Sequence, residues 1–506
     1  MTQRPSIARS TYWNFLGLAL PLAVALFAIP ILIKGLGTDR FGILTIAWVI
    51  MGYFVLFDFG MGRATTKFLA EYLERDERLR VPGLVWGSFF AHVVLGFLGG
   101  GALALLVPWL TGEFFKVPPA LVPEVAAAFY LLAISVPIVV CATCFRGILE
   151  ALHRFDLVNA VKIPSSMFNY LGPVALLFFT NNLAAVVGLI VIGRIVALLA
   201  LAWLCVRAVP EAWSKMHFNS EDLKRLMGFG GWLTVSSLVT PLIGLMDRFV
   251  IGALLSMSAV AYYATPYEVV TKLWIFSASL LSVMFPVFSA LSVRAGTEIR
   301  ELCIRATNYL MLAVSPIVAI LVCFPHELLD LWIGPEFALQ SAPVARWLAV
   351  GVFVNVLAQV PFAGLQGIGK ADVPAKLQLI QLPVYAVVMV YLASVMGIVG
   401  VAIAWTVRAV VDMGLLSIAA DRLLPAAETR TPAFCARKVL LVCAALLVFW
   451  MIGPGLLGNA LAKASVFFPL LVLLVVWQWF YLLTDSDRLV VARAVRRMLG
   501  PGLNVR

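Results

Sequence analysis

The ionisable residues that could do chemistry lie inside stretches that are otherwise apolar enough to cross a membrane. The run from Leu245 to Trp274 is the clearest case, and it carries two acids and two bases: Asp247, Arg248, Glu268 and Lys272. A charge near the centre of a membrane helix costs about 2.5–3.5 kcal/mol on insertion scales. Such residues are therefore expected to pair with one another, to contact water, or to line the route of a substrate or an ion.

The composition indicates which elements must position these charges. The chain has 506 residues, of which 62% are hydrophobic and 12% are charged, whereas soluble domains are about 45–50% apolar and about 25% charged. The apolar runs are about 20 residues long, the length of a membrane helix rather than of a short alternating barrel strand. We therefore predict an all-α integral membrane protein with 14 transmembrane helices, which begin near residues 14, 41, 82, 124, 157, 183, 228, 259, 305, 342, 374, 398, 437 and 465.

The distribution of basic residues predicts the orientation of these helices. Lys and Arg concentrate on the cytoplasmic side of membrane proteins. With the N-terminus inside, most of the 37 basic residues fall in cytoplasmic segments, and those placed outside are Lys34, Arg40, Lys116 and Lys463. Both termini are therefore predicted to be cytoplasmic. The formal net charge of +11 is a topology signal and does not indicate nucleic-acid binding, and the tail 485–506 is predicted to be a basic amphipathic helix that lies on membrane lipids.

Two parts of the sequence resemble each other at an offset of roughly 220 residues. The segment Phe145–Asp156 resembles Phe362–Asp372, and Arg194 corresponds to Arg408. An even number of helices in each repeat makes the repeats parallel, with a site expected between them. We predict two six-helix lobes around a central cavity: an N-lobe at 1–206, a cytoplasmic loop at 207–227, a C-lobe at 228–420, a cytoplasmic linker at 421–436, and two further helices at 437–484.

Two blocks of sequence carry a resemblance to a known family. They are Gly35–Tyr72, which begins "GLGTDRFGILTIAW", and Met246–Val270, which begins "MDRFVIGALLSMSAV". Both resemble the hallmark segments of bacterial polysaccharide transporters, the flippases for O-antigen and exopolysaccharide repeat units within the multidrug, oligosaccharidyl-lipid and polysaccharide exporter superfamily. The resemblance implies alternating access and the movement of an undecaprenyl-pyrophosphate-linked oligosaccharide from the cytoplasmic to the outer leaflet of the bacterial inner membrane. It also implies a glycan polymerase and chain-length machinery as partners.

In this interpretation, the bases of the charged run are candidate substrate ligands and its acids are candidate coupling groups. Arg248 suits a pyrophosphate because its planar guanidinium binds phosphate oxygens in bidentate fashion and keeps its charge. Lys272 is a second candidate for the substrate path, and Glu268 and Asp247 are candidates for binding a coupling ion. The alternative is an ion-pair cluster that fixes the hairpin between the seventh and eighth membrane helices.

A second group of candidates lies in other helices. Asp58 is placed near the inner end of the second membrane helix and is a further coupling candidate, and Arg63 and Lys67 follow it on one helical face. This arrangement suits a cationic mouth that collects a lipid diphosphate, and it equally suits basic residues that snorkel to the interface. Arg346 is a further candidate for the substrate path. His92, in the third helix, is more typical of a hydrogen-bonded packing residue than of a proton carrier.

A third group is predicted to be structural. Arg408 and Asp412 are spaced i,i+4, the geometry of an ion pair within one helix. Arg194 is grouped with them because it corresponds to Arg408 in the repeat.

Other functions are weighed against the flippase. An ion-coupled multidrug or cation antiporter of the same superfamily would typically carry an acid in the first helix, and residues 14–33 contain none. A lipid II flippase would carry arginines there, where only the preceding Arg9 is a candidate. A glycan polymerase or ligase would need a sizeable external loop, and the longest loops predicted outside, 108–123 and 325–341, are short. The sequence has no H-E-x-x-H, P-loop or G-x-S-x-G motif, so we predict a transporter without cofactor or metal rather than an enzyme.

Overall fold

The computed structural model describes residues 7–54, 58–213, 244–292, 297–424, 436–452, 460–485 and 487–488. Within these residues the chain is helical and has no β-strand. The first helices are α1 (Ile7–Leu36), α2 (Thr38–Tyr53), α3 (Met61–Glu74), α4 (Val81–Trp109), α5 (Val122–Ala151), α6 (Phe155–Leu176), α7 (Leu183–Ala208) and α8 (Pro210–Trp213). Then follow α9, which runs through 244–254, α10 (Met257–Val270), α11 (Trp274–Ser292), α12 (Thr297–Cys323), α13 (Pro325–Trp332), α14 (Pro335–Gly367), α15 (Asp372–Leu423), α16 (Ala436–Ile452) and α17 (Ala460–Leu482).

The length and hydropathy of these helices make the chain a multi-pass membrane protein. Among the described residues, seven helices are long and apolar enough to cross a bilayer: Arg78–Phe114, Pro119–Ala151, Leu183–Ala208, Glu298–Cys323, Pro335–Gly367, Asp372–Leu423 and Ala462–Leu482. Two shorter apolar helices, Leu20–Leu36 and Lys438–Met451, coincide with further predicted spans. The all-helical membrane fold is confirmed, whereas the count of 14 helices and the cytoplasmic termini stay predictions.

The second predicted membrane helix is interrupted. α2 ends at Tyr53 and α3 begins at Met61. At about 1.5 Å per residue, α2 covers only about 24 Å, which is less than the ~30 Å hydrocarbon core. Phe59 and Gly60 have positive φ angles of 48° and 70°, and glycine takes this conformation without the steric penalty of a Cβ. A discontinuous helix of this kind can place polar groups inside the membrane, and here it places Asp58.

The long helix α15 is two helices folded back on each other. Gly397 has φ 62° and ψ −141°, which breaks the helix at its middle. Gln381 and Asp412 are 31 residues apart, yet their side chains form a hydrogen bond at 3.0 Å. In one straight helix they would lie about 46 Å apart. The two halves therefore form a hairpin, which agrees with the separate membrane helices predicted to begin near 374 and 398.

The first of two compact units covers Met1–Ala264. Its apolar core lies among α3, α4, α5 and α7, and the completely buried side chains there include Leu69, Val85, Ile148 and Cys205. This core packs against α3, next to the interruption between α2 and α3. A polar side chain in the interruption is therefore held among apolar neighbours.

One ion pair joins the ends of three helices in the first unit. Two guanidinium nitrogens of Arg40, at the beginning of α2, donate to the carboxylate of Glu124 on α5 at 3.0 Å. The same carboxylate accepts the backbone N–H of Leu183 at the beginning of α7. Bidentate pairs of this kind are geometrically specific, so the contact fixes these ends relative to one another.

The second compact unit covers Thr265–Arg506 and is built around α14. α14 packs against α11, α12, α13 and α15, while α16 and α17 pack against α12. Ser315 on α12 and Gln478 on α17 are completely buried and hydrogen-bonded to each other at 2.8–3.0 Å. The two C-terminal helices are thus attached to one helix of this unit.

Several predicted boundaries fall outside the described residues. The loop predicted at 207–227 and the beginning of the C-lobe at 228 overlap residues 214–243, and the linker at 421–436 overlaps 425–435. The first compact unit extends through α9 to Ala264. The tail predicted as an amphipathic helix lies almost entirely beyond the last described residue, so these boundaries stay predictions.

Candidate functional site

Asp247 and Arg248 are consecutive residues of α9 and are almost completely buried, with 0% and 2% of their surfaces exposed. Oδ1 of Asp247 accepts a hydrogen bond from the backbone N–H of Arg248 at 2.8 Å and lies 3.6 Å from Nη1 of the guanidinium. Consecutive helical residues point about 100° apart. The long arginine side chain instead bends back to the adjacent carboxylate, because an isolated charge in this environment is more costly than a pair.

The loop between α4 and α5 holds α9 in place within the first unit. Phe249, next to the buried pair, stacks on Phe115 with ring centroids 6.0 Å apart. The backbone N–H of Lys116 donates to the carbonyl of Gly252 at 2.9 Å, and its ammonium donates to the carbonyl of Leu254. A cation at a helix C-terminus stabilises the helix. These contacts fix the depth at which Asp247 and Arg248 lie in the fold.

The arrangement on α9 has the chemistry of an anion site. A guanidinium has five N–H donors in a planar fork, and carboxylates and phosphates compete for the same fork. The pair is neutral when Asp247 faces Arg248. An incoming phosphate would therefore exchange with Asp247 rather than neutralise an isolated buried charge.

Glu268 and Lys272 belong to the second unit and form a more exposed ion pair. Nζ of Lys272 donates to Oε2 of Glu268 at 3.2 Å, and the side chains are 42% and 37% exposed. α10 ends at Val270, and Thr271–Leu273 forms a 3₁₀ turn before α11 begins. A 3₁₀ stretch inside a long helix often marks a hinge. The i,i+4 contact suggested by the spacing is present, and the role of the pair in substrate binding or ion coupling stays a prediction.

Asp58 lies in the interruption between α2 and α3 and contacts both α3 and α4. Its carboxylate accepts the backbone N–H of Gly62 at 2.9 Å, which satisfies one of the free donors at the N-terminus of α3. Oδ1 also lies 2.8 Å from Nε2 of His92 on α4, and His92 is completely buried. The sequence analysis treated these residues separately because no helical spacing connects residues on different helices. The only sequence signal was a histidine in the middle of an apolar run.

Arg63 and Lys67 lie one turn apart on α3, and both are exposed while the opposite face of this helix is buried. Arg346 on α14 is half-buried in the second unit. Its Nε donates to the carbonyl of Val322 near the C-terminus of α12 at 2.9 Å, and its guanidinium lies 5.6 Å from the ring of Trp450. The exposed bases are accessible to a ligand, whereas Arg346 has the contacts of a packing residue. The substrate-path role of all three stays a prediction.

The residues grouped as structural contact other partners than the i,i+4 spacing predicts. Asp412 accepts a hydrogen bond from Gln381 at 3.0 Å, and the guanidinium of Arg408 lies 5.5 Å from the ring of Tyr385. In the described part of the chain no ion pair joins Arg408 to Asp412. The hairpin of α15 brings an amide and an aromatic ring to these side chains, which a single-helix spacing argument does not anticipate. Arg194 is half-buried on α7.

The fold and the buried charges define a multi-pass helical membrane protein with the architecture of known transporters. The structure matches one described as "Lipid II flippase MurJ, inward closed conformation" with a TM-score of 0.69 at 12% identity, covering 96% of this chain and 99% of that chain. It matches an inward-facing multidrug resistance MATE family transporter of the MOP superfamily with a TM-score of 0.66 at 16% identity, covering 81% of this chain and 98% of that chain. At these identities the likeness shows the fold.

The sequence places the chain more narrowly. Residues 7–292, more than half of its length, match the family described as "Polysaccharide biosynthesis protein", and the chain belongs to this family. A relative from Shigella flexneri named "Putative O-antigen transporter" is 28% identical over 411 residues, which cover 81% of this chain and 97% of that protein. The family resemblance identified from the blocks at Gly35–Tyr72 and Met246–Val270 is confirmed.

Proposed function

We propose that the protein is a flippase that moves undecaprenyl-pyrophosphate-linked oligosaccharide repeat units from the cytoplasmic to the outer leaflet of the bacterial cytoplasmic membrane. The units serve O-antigen or exopolysaccharide biosynthesis. The observation that carries this proposal is Arg248, which is 2% exposed in a membrane protein of the polysaccharide biosynthesis family. A permanently charged group buried in a membrane helix usually marks a substrate or ion route, and a guanidinium matches the diphosphate of a lipid-linked glycan.

The proposed cycle begins at the cytoplasmic interface. Arg63 and Lys67, on the exposed face of α3, attract the lipid diphosphate from the inner leaflet. The diphosphate then exchanges with Asp247 at the guanidinium of Arg248, so that the buried cation keeps an anionic partner throughout. Release on the outer side restores the Asp247–Arg248 pair, which disfavours return of the substrate. Alternating access of this kind requires no ATP hydrolysis by the chain.

The test uses the source organism with the gene deleted and complemented by variants at matched protein levels. Arg248→Ala is expected to reduce surface polysaccharide at least about tenfold and to cause lipid-linked repeat units to accumulate, because a charge-assisted hydrogen bond is worth about 1.5–3 kcal/mol. Arg248→Lys is expected to restore export only in part, since lysine lacks the bidentate fork. Arg78→Ala is the matched control, because Arg78 is an exposed arginine whose ion pair is with Asp76, two residues away.

The outcomes separate this function from its rivals. Equal export by the wild type and both Arg248 variants would contradict the assignment of Arg248. A deletion that blocks peptidoglycan synthesis and leaves surface polysaccharide intact would favour a lipid II flippase. A deletion that changes only drug or cation resistance would favour an antiporter, and one that leaves flipped but unpolymerised units would favour a polymerase.

A further inference from the structure

His92 and Asp58 are close enough to hold one proton between them. Nδ1 of His92 lies 2.7 Å from the carbonyl oxygen of Ser88, and a carbonyl has no hydrogen to donate, so Nδ1 carries the hydrogen of this bond. Nε2 lies 2.8 Å from Oδ1 of Asp58, a distance at which a nitrogen lone pair and a carboxylate oxygen would repel each other. The pair therefore contains one further proton, either on Nε2 or on the carboxyl group.

The proton is nearly sealed from water. The side chain of His92 is completely buried and that of Asp58 is 9% exposed, so a proton enters and leaves on the side of Asp58. Nε2 has no partner of hydrogen-bond geometry among the described residues, and its contact with the carboxylate therefore depends on charge attraction more than on hydrogen-bond alignment. Asp58 also caps α3 through Gly62, where the helix dipole stabilises a negative charge.

Small polar groups connect the pair to neighbouring helices. Oγ of Ser88 lies 2.5 Å from Oγ1 of Thr65 on α3 and 3.4 Å from Sγ of Cys144 on α5. Among the described residues, the titratable group on a neighbouring helix that acts on His92 besides Asp58 is the thiol of Cys144, and the thiol of Cys205 on α7 lies behind it. Arg63, the charge on α3 nearest in sequence, is exposed. Three helices thus meet at one polar centre within an apolar core.

Removal of the shared proton changes the balance of forces at this centre. A carboxylate would then face the lone pair of a neutral imidazole with little water between them, and the two groups would repel. Asp58 lies between helices, next to the positive φ angles of Phe59 and Gly60, whereas His92 lies within α4. Displacement of Asp58 would loosen the N-terminus of α3, which it caps. Occupation of the site by a proton is therefore linked to the conformation of residues 58–60 and of the N-terminus of α3.

We propose that Asp58 and His92 form a buried proton-binding site at the interruption between α2 and α3, and that proton movement through this site drives the transport cycle. The coupling to transport rests on the proposed flippase function, whereas the proton site does not. His92 thereby changes from a packing residue to the partner of the coupling candidate Asp58.

The test compares the full-length wild type with His92→Gln, Asp58→Asn and the control His326→Gln. Glutamine keeps an N–H that can face Asp58, and asparagine keeps an oxygen that can cap α3, so both variants retain the structural contacts while losing the shared proton. His326 is half-buried on α13, and its replacement removes an imidazole elsewhere in the chain.

The proton site is measured by ¹⁵N spectroscopy of the histidine-labelled protein in lipid nanodiscs, with the His92 signals identified by their loss in His92→Gln. We expect Nδ1 to stay protonated from acidic to alkaline pH, and Nε2 to titrate in a one-proton step that is displaced in Asp58→Asn. A His92 that keeps one neutral form throughout, with the same spectrum in wild type and Asp58→Asn, would overturn the proton site.

The coupling is measured in proteoliposomes that contain undecaprenyl-pyrophosphate-linked oligosaccharide. If one proton moves per lipid, a gradient of one pH unit shifts the distribution of the lipid between leaflets by up to about tenfold, since one pH unit corresponds to 1.36 kcal/mol. The wild type and His326→Gln are expected to show this shift, and His92→Gln and Asp58→Asn to lose it. A shift retained in His92→Gln, or wild-type movement that ignores the gradient, would overturn the coupling. A wild type that moves no lipid would refute the proposed function, and the spectroscopic result alone would then decide the proton site.

Discussion

Two buried acid–base pairs in the first unit, Asp58–His92 and Asp247–Arg248, differ in the base that the carboxylate faces. An imidazole gains and loses a proton near physiological pH, whereas a guanidinium keeps its charge. The first pair connects α3 and α4, and its aspartate lies where the helical segment is interrupted between α2 and α3. The second pair lies on one continuous stretch of α9, with its carboxylate and guanidinium 3.6 Å apart.

This difference separates two ways in which a membrane protein can use a buried charge. The charge of the Asp58–His92 pair changes when a proton leaves. The backbone beside the pair, at Phe59 and Gly60, can change its conformation in response. The guanidinium of the Asp247–Arg248 pair keeps its charge at physiological pH, so it can exchange one anionic partner for another. The first therefore suits coupling to protons, and the second suits recognition of an anionic substrate.

The largest effect is expected from removing one partner of the Asp247–Arg248 pair. Asp247→Ala leaves a buried guanidinium without this carboxylate and should lower the free energy of unfolding by about 3–5 kcal/mol. The double variant Asp247→Ala/Arg248→Met, which removes both charges, should be more stable than Asp247→Ala alone. Thermal unfolding in detergent measures both. A double variant no more stable than the single one would show that the pair is not energetically coupled.

The next effect tests whether α2 packs closely enough to keep water away from the Asp247–Arg248 pair on α9. A Cβ on Gly42 would lie 1.8 Å from the carbonyl oxygen of Met257 at the beginning of α10, whereas a Cβ on Gly52 of the same helix meets nothing within 4 Å. Gly42→Ala should therefore cost about 1–3 kcal/mol through forced backbone shifts, and Gly52→Ala should be neutral or slightly stabilising. Similar unfolding temperatures for both variants would argue against close packing of α2 on α10.

A smaller effect is expected at Glu268 and Lys272, a half-exposed pair whose contribution to stability is below about 1 kcal/mol. If the pair is structural, exchanging the charges in Glu268→Lys/Lys272→Glu should restore what each single change loses. If Glu268 binds a coupling ion, the exchange should fail as badly as the single changes. Glycan export at equal protein abundance is the measurement. Rescue by the exchange would leave Asp58–His92 as the coupling candidate.

The smallest effect concerns Glu327, which lies outside the membrane-spanning segments, and its partner Lys463 near the beginning of α17. Burial, the largest single influence, would raise the pKa of Glu327, but the hydrogen bond from Lys463 at 2.7 Å, a backbone hydrogen bond and the nearby charges of Lys463 and His326 together lower this pKa below its usual value. The pair therefore stabilises the fold at pH values above about 4.3, the ordinary glutamate pKa, and this contribution is lost as the pH falls through the lower folded pKa. Lys463→Ala should reduce the acid sensitivity of thermal unfolding. An unchanged pH profile would show that the pair contributes nothing measurable.

The sequence predicted the membrane class, the family and the helical hairpin at Gly397, because long apolar runs and glycine punctuation are local signals. It also identified the buried charges, since a charge in an apolar run is visible without a structure. It missed the partners that lie on other helices. Asp58 meets His92, and Asp412 meets Gln381, through packing between helices, and no spacing rule within one helix reports such contacts. The interruption after Tyr53 was also missed, because the apolar pattern continues through it.

The most direct test of the account is the rate of lipid movement by the purified protein in proteoliposomes, measured for undecaprenyl-pyrophosphate-linked oligosaccharide and for the same glycan on a single phosphate. We expect the wild type to move the diphosphate lipid faster, Arg248→Lys to lose most of this preference, and Arg248→Ala to move both lipids at the rate of protein-free vesicles. Equal rates for the two lipids, unchanged in Arg248→Ala, would contradict this expectation.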